Sequence, residues 1–387
     1  MNLDSHLHGE LAKLEQASLL RALRPADAAM LNFAANDYLG LSRHPSLIEA
    51  ARQATAQHGT GAGASRLVTG TDTAVLALEE SLAAWKEKEA ALVFSSGYAA
   101  ALGTIPALVG KGDTVILDKL AHASLIDAAR LSGATVRTFP HNNAPRLETL
   151  LAKISSGKTR ILVVTESIFS MDGDAAPLRE LAELKDRYGA WLLVDEAHAT
   201  GLYGATGAGL VAEAGLSPRV EIVMGTLSKA LGSVGGYIAG SRALIDWLVN
   251  RARSFIYSTA LPPGVIAASR AAVDLARGHE GAALRKRLRE NISRFHEGLP
   301  ASWKNQLSPG GRRLPSAIQP LICREAAAAL QLAAALREVG FLVPAIRYPT
   351  VPRNAARLRI TLSAAHAGKD IDALNRALFS CSSRNVS

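Results

Sequence analysis

Between Ala90 and Ala260 the chain alternates short apolar runs with stretches of helical period. The strand candidates are Ala91–Phe94, Thr114–Leu117, Thr135–Phe139, Arg160–Thr165, Trp191–Asp195, Ile222–Thr226 and Gly236–Ala239. Runs that are apolar at nearly every position belong to strands covered on both faces. Their alternation with helical segments such as Ala175–Tyr188 predicts a largely parallel sheet between two helical layers. In such sheets ligands gather at the carboxyl ends of the strands, so the residues that follow each run are where chemistry is expected.

The two ends of the chain read differently. Leu7, Leu11, Leu14, Ala17 and Leu20 give residues 5–24 a helical stripe that should stop near Pro25. After Pro262-Pro263 comes a long helical region, roughly Gly264–Leu299. It is followed by an apolar run at Ser316–Cys323, a helix near Ala326–Val339, a strand at Arg357–Thr361 and a last helix. This predicts three parts: an N-terminal helical segment (1–35), a large α/β domain (36–262) and a smaller α+β domain (263–387).

Composition narrows the classes of function. With 48% hydrophobic and 20% charged residues the chain is an ordinary globular protein. No apolar stretch is long enough to span a bilayer, and the N-terminus lacks the pattern of a secretory signal, so a cytoplasmic protein is expected. Cys323 and Cys381 have neither metal-ligand nor redox spacing, and no metal is expected. The net charge of +9 favours anionic ligands. Its basic residues are scattered and no nucleic-acid motif is present, so small acidic cofactors, thioesters or an acidic carrier protein account for it better than nucleic acid.

Three stretches at strand ends carry the chemistry. Asp195 closes the apolar run of Trp191-Leu192-Leu193-Val194-Asp195 and is followed by Glu196-Ala197-His198. Lys229 lies in Gly225-Thr226-Leu227-Ser228-Lys229, and Ser95-Ser96-Gly97-Tyr98 follows an earlier strand and opens a helix. Singly, each has a bland reading: a turn aspartate, a solvated lysine, a helix cap. In this order they match what pyridoxal phosphate (PLP) needs. A lysine amine forms an imine with the aldehyde, and a buried carboxylate keeps the pyridine nitrogen protonated so that the ring accepts electrons. Helix N-terminal N–H groups from Ser96, Gly97 and Tyr98, and the Thr226 hydroxyl, can hold the phosphate. A non-catalytic binding module on the same fold would need no such electron sink. Gly59-Thr60-Gly61-Ala62-Gly63 superficially suggests a dinucleotide loop, but polar Gln53–His58 precedes it where a strand should be.

The chain resembles the α-oxoamine synthases, PLP enzymes of the aspartate-aminotransferase fold (fold type I), which join an amino acid to an acyl thioester with loss of CO2. The resemblance is carried by Asn36-Asp37-Tyr38-Leu39-Gly40-Leu41, residues 58–66, His122-Ala123-Ser124-Leu125, Ser170-Met171-Asp172-Gly173-Asp174, Asp195-Glu196-Ala197-His198 and Thr226-Leu227-Ser228-Lys229. It implies that His122 stacks on the cofactor ring, that Ser170 and His198 bond around its phenolic oxygen, and that Lys229 is both covalent catalyst and general acid/base. It also implies that Asn36 and Arg359 hold the amino-acid carboxylate. Strand alternation puts Arg357 and Arg359 on one face, so only the resemblance chooses between them. Residues 59–66 and Ser258-Thr259 resemble segments that complete a neighbouring subunit's site, which implies a homodimer.

Within the family, Phe255-Ile256-Tyr257-Ser258-Thr259, Ser316–Ile322 and Ala345–Pro352 are similar to the branch that condenses L-alanine with a pimeloyl thioester in biotin biosynthesis. The alternative is a relative that uses glycine or serine with another acyl-CoA. The resemblance makes Arg21, Arg347 and Thr350 candidates for the acyl end of the site. Whether the donor is a coenzyme A or an acyl-carrier-protein thioester stays open. Two departures, a short segment between Pro25 and Asn32 and a Gly/Ala-rich stretch from Tyr203 to Gly209, bear on the acyl entrance.

Overall fold

The computed structural model describes residues 2–23, 25, 27, 29–154, 159–304 and 316–384. Its strands are β1 (Leu31–Asn32), β2 (Ala90–Phe94), β3 (Thr114–Asp118), β4 (Thr135–Phe139), β5 (Ile161–Glu166), β6 (Trp191–Asp195), β7 (Ile222–Thr226), β8 (Gly236–Gly240), β9 (Ile318–Arg324), β10 (Phe341–Leu342), β11 (Ala345–Ile346) and β12 (Ala356–Thr361). β2 to β8 form a seven-stranded sheet in the order β2-β8-β7-β6-β5-β3-β4. The run β7-β6-β5-β3-β4 is parallel, while β8 pairs antiparallel with both β2 and β7.

The apolar runs become central strands because both their faces are covered: every residue of β2, β3, β5, β7 and β8 is buried. β4 is an edge, and its sequence Thr-Val-Arg-Thr-Phe, with Arg137 exposed, blunts that edge. One core forms on each side of the sheet. Close approach sets some residue choices. A Cβ on Gly236 would lie 2.5 Å from Gly97 Cα, so only glycine lets β8 pass the start of the helix Gly97–Leu108.

The C-terminal region holds an antiparallel sheet in the order β11-β12-β9, with the helices Ala326–Glu338 and Gly368–Arg384. The N-terminal segment is tied to this region. β1 pairs in parallel with β10, and the Thr361 N–H donates to Phe33 O. The helix Pro263–Arg277 packs back on the helices Pro45–His58 and Thr73–Trp85. The change of pattern at Pro262-Pro263 is thus a turn in the chain's course and not a break in its packing.

One expectation needs correction and one gains detail. The first helix runs Leu3–Gln16 and does not reach Pro25, because Ser18 takes a left-handed φ of 55° that ends it. Its leucines are exposed, so no packing extends it. The long region after Pro263 is two helices, Pro263–Arg277 and His279–Gly298, separated by extended Gly278.

Candidate active site

Three parallel strands end side by side: β5 at Glu166, β6 at Asp195 and β7 at Thr226. Lys229 follows β7 by three residues, and its amine lies 2.8 Å from His198 Nε2. His198 Nδ1 lies 2.6 Å from the Tyr38 hydroxyl, which is 3.1 Å from Asn36 Oδ1. Arg359, on β12, donates to Asn36 Oδ1 at 3.0 Å, to the Ser170 carbonyl at 2.7 Å and to Thr361 Oγ1 at 2.9 Å. A continuous polar chain thus runs from an amine on the large sheet to a guanidinium on the C-terminal sheet. Tyr38 is the link between the two parts.

Arg357 is also buried, but it donates to Asp172 Oδ1 at 2.7 Å and to Met171 O at 3.2 Å. The geometry therefore separates two arginines that strand alternation could not. Both act on the turn of Ser170–Asp174. Gly173 closes that turn at φ +70°, and a Cβ there would meet Ile318 O at 2.6 Å.

Burial dominates the electrostatics. It pushes the Lys229 amine below its usual range, against the pull of Asp195 and Glu166. It pushes His198 well below, helped by the charges of Lys229 and Arg359, so His198 is a neutral imidazole between amine and phenol. Asp195 accepts the Ala197 N–H at 2.9 Å, and burial raises its carboxyl while Lys229 opposes the rise. An amine of lowered basicity beside a buried carboxylate is suited to nucleophilic and proton-transfer work.

His122 caps the helix Ala123–Leu131. Its Nδ1 lies 2.8 Å from Ser124 Oγ and accepts the Ser124 N–H at 3.2 Å. Burial lowers its pKa, so the ring is neutral, with its orientation fixed from one edge. Ser96 caps the helix Gly97–Leu108 by accepting the Ala99 N–H at 3.0 Å, and Gly97 and Tyr98 supply first-turn N–H groups. The half-exposed Tyr98 side chain turns away and donates to Asp127, which raises the phenol's pKa. Thr226 donates to Gly235 O at 2.8 Å, and its oxygen is 2.7 Å from the hydroxyl of Ser228.

Other candidates lie apart from this chain. Ser258 and Thr259 join residues 59–66 through a bridge between Ser65 and Thr259, and both groups line one cavity with Ser95. Among the described residues, no hydrogen bond links this cavity to Lys229. Arg21 donates to Thr350 Oγ1 at 3.2 Å, and Arg347 donates to Ser18 O. Burial and the charge of Arg21 lower the Arg347 guanidinium.

Sequence reasoning assigned no role to Tyr38, Thr361 or Glu166. Tyr38 stood inside a quoted motif, and only the fold shows that it bridges His198 and Asn36. Glu166 lay one residue past the predicted end of its strand.

Residues 28–378 match the family model for aminotransferase class I and II. The 8-amino-7-oxononanoate synthase of Geobacter metallireducens is 48% identical over 365 residues, covering 94% of this chain and 92% of that one. The protein of that name from Methylococcus capsulatus is 50% identical over 352 residues, covering 91% and 89%. Among solved structures, a serine palmitoyltransferase from S. paucimobilis with a bound PLP–myriocin aldimine superposes with a TM-score of 0.89. It has 28% identity and covers 98% of both chains. An 8-amino-7-oxononanoate synthase from Francisella tularensis gives a TM-score of 0.78 with 28% identity, covering 93% of this chain and all of that one.

Proposed function

The chain belongs to the class I and II aminotransferases and, within them, to the 8-amino-7-oxononanoate synthases, and from that premise we propose that it condenses L-alanine with a pimeloyl thioester in biotin biosynthesis. The enzyme is PLP-dependent. In the reaction the α-carbon of alanine gains the acyl group and loses its carboxylate as CO2, and the thiol departs. Bound PLP supplies the electron sink for both the lost proton and the lost CO2.

The donor set fits that cofactor. Lys229 is an amine of lowered basicity that can hold an aldehyde and later carry the α-proton. Asp195, buried at the end of β6, holds a proton on the pyridine nitrogen. His122 would lay a neutral ring against the cofactor, and His198 and Ser170 would bond to its phenolic oxygen. The N–H groups of Ser96, Gly97 and Tyr98 would receive the phosphate, joined by the Thr226 hydroxyl once it turns from Gly235 O. Asn36 and Arg359 hold the carboxylate of alanine. The observation that carries this reading is the unbroken chain Lys229–His198–Tyr38–Asn36–Arg359, which links the amine to a carboxylate-binding guanidinium.

Arg21, Arg347 and Thr350 receive the far end of the acyl chain, whether its donor is coenzyme A or an acyl-carrier protein. Ser258 and Thr259 act with residues 59–66 across a homodimer interface and reach the partner's phosphate. Among the described residues no helix is long and apolar enough to cross a membrane, in keeping with work in the cytoplasm. The test is thiol release by the purified holoenzyme with alanine, glycine or serine against pimeloyl and plain acyl thioesters. Alanine with the pimeloyl donor should give the highest kcat/KM. Preference for glycine or serine would move the chain to another branch of the α-oxoamine synthases.

A further inference from the structure

Glu166 takes no part in the machinery described so far, yet its side chain is buried at the heart of the site. It ends β5 and is the register partner of Asp195 at the end of β6. Partners on adjacent parallel strands, one strand spacing apart, project to the same face of the sheet. Two carboxyl groups therefore share one dry pocket, with Glu166 2% and Asp195 5% exposed.

The two are not equivalent. Asp195 accepts the Ala197 N–H at 2.9 Å and faces Lys229. Glu166 Oε1 has no hydrogen-bond partner among the described residues. Neighbouring buried carboxyls cannot both ionise cheaply, and the proton stays on the one whose anion is less well served. The charged and polar groups facing Glu166 are Asp195 from β6, Lys229 from the loop after β7, and the backbone N–H groups of His122 and Ser170. Burial first, and then the charge of Asp195, hold its carboxyl well above the ordinary range; Lys229 and the two N–H groups pull the other way.

We propose that Glu166 is a positioning residue that stays a neutral carboxylic acid beside Asp195, so that the pair's single negative charge is kept for the pyridine nitrogen of the cofactor. This rests on the reading of Asp195 given above. An ionised Glu166 would add a second charge that competes for the same proton. A neutral one leaves Asp195 as the only anion at the base of the ring.

The test is infrared spectroscopy of the PLP-loaded enzyme with isotope-labelled glutamate, together with nitrogen NMR of the labelled cofactor ring. Wild type at neutral pH should show a protonated glutamate carbonyl band that is lost in Glu166→Gln. Because glutamine copies the neutral acid, that variant should keep the ring nitrogen protonated. In Asp195→Asn, which removes the neighbouring charge, the band should titrate away at least about one pH unit lower. This comparison stands even if Glu166→Gln fails to fold. Absence of the band in loaded wild type, its survival in Glu166→Gln, or an unmoved titration in Asp195→Asn would overturn the assignment. A chain that takes up no PLP on Lys229 would instead sink the functional reading, and this inference with it.

Discussion

Replacing His141 by alanine should destabilise the protein by roughly 3 kcal/mol near neutral pH. His141 sits between Asp118, 3.0 Å from Nδ1, and Asp174, 2.9 Å from Nε2, and its ring stands edge-on to Phe169. Burial alone would push its pKa down, but the two carboxylates hold it at about 10. Two hydrogen bonds to charged groups contribute ~1.5–3 kcal/mol each, and stripping the cation from a buried pair costs ~3–5 kcal/mol. The lower end applies here, because the His141 side chain is still 20% exposed and water can reach the stranded carboxylates. The sign of the pH effect follows from the raised pKa. The stabilisation is complete below the unfolded value of 6.5 and is lost as pH rises through about 10. The assay is urea unfolding of wild-type and His141→Ala holoenzymes at one protein concentration, from neutral to alkaline pH, reading the difference between them. That difference should shrink steadily on the alkaline side. A gap below ~0.5 kcal/mol at neutral pH, the size of an ordinary surface substitution, would refute the reasoning. So would a gap that stays constant up to alkaline pH.

The remaining predictions concern the site. Arg359→Lys should raise the KM for the amino acid by ~10–100-fold, the value of one or more lost charge-assisted hydrogen bonds, whereas Arg357→Lys should lower stability with KM nearly unchanged. Steady-state kinetics and urea unfolding of the two variants separate these outcomes; equal KM effects would place both arginines on the substrate. Arg347→Ala should lower kcat/KM for pimeloyl-CoA by ~10–100-fold and leave a plain acyl-CoA of similar length less affected. Equal losses would show that Arg347 does not read the acyl terminus. Mixing inactive Lys229→Ala chains with inactive Ser258→Ala/Thr259→Ala chains should restore part of the activity, since one site of the mixed dimer is then intact. No recovery after demonstrated subunit exchange would exclude a shared site.

The sheet was legible in the sequence because its strands are buried on both faces. The central strands therefore appear as apolar runs, while the edge strand β4 shows as a β-branched stretch; β4, β6 and β7 fall on the predicted bounds. The first helix is shorter than expected, since a stripe of leucines does not reveal that its leucines stay exposed among the described residues. The clustering of Asp195, Lys229 and His198 was legible because strand ends are where ligands collect. The placement of Tyr38 was not, since it depends on residues just after the N-terminal segment lying against β12, a contact between partners 321 positions apart. The choice between Arg357 and Arg359 likewise turned on which partner each one meets, Asp172 or Asn36. Glu166 escaped notice because a glutamate at a strand end reads as solvated until its neighbours are known.

The central claim is that Lys229 carries the cofactor. The enzyme loaded with PLP should be yellow, and borohydride reduction followed by digestion and mass spectrometry should place the cofactor's mass on the peptide containing Thr226-Leu227-Ser228-Lys229 and on no other. Lys229→Ala should give no labelled peptide. Label on a different lysine, or label that persists in Lys229→Ala, would contradict the account.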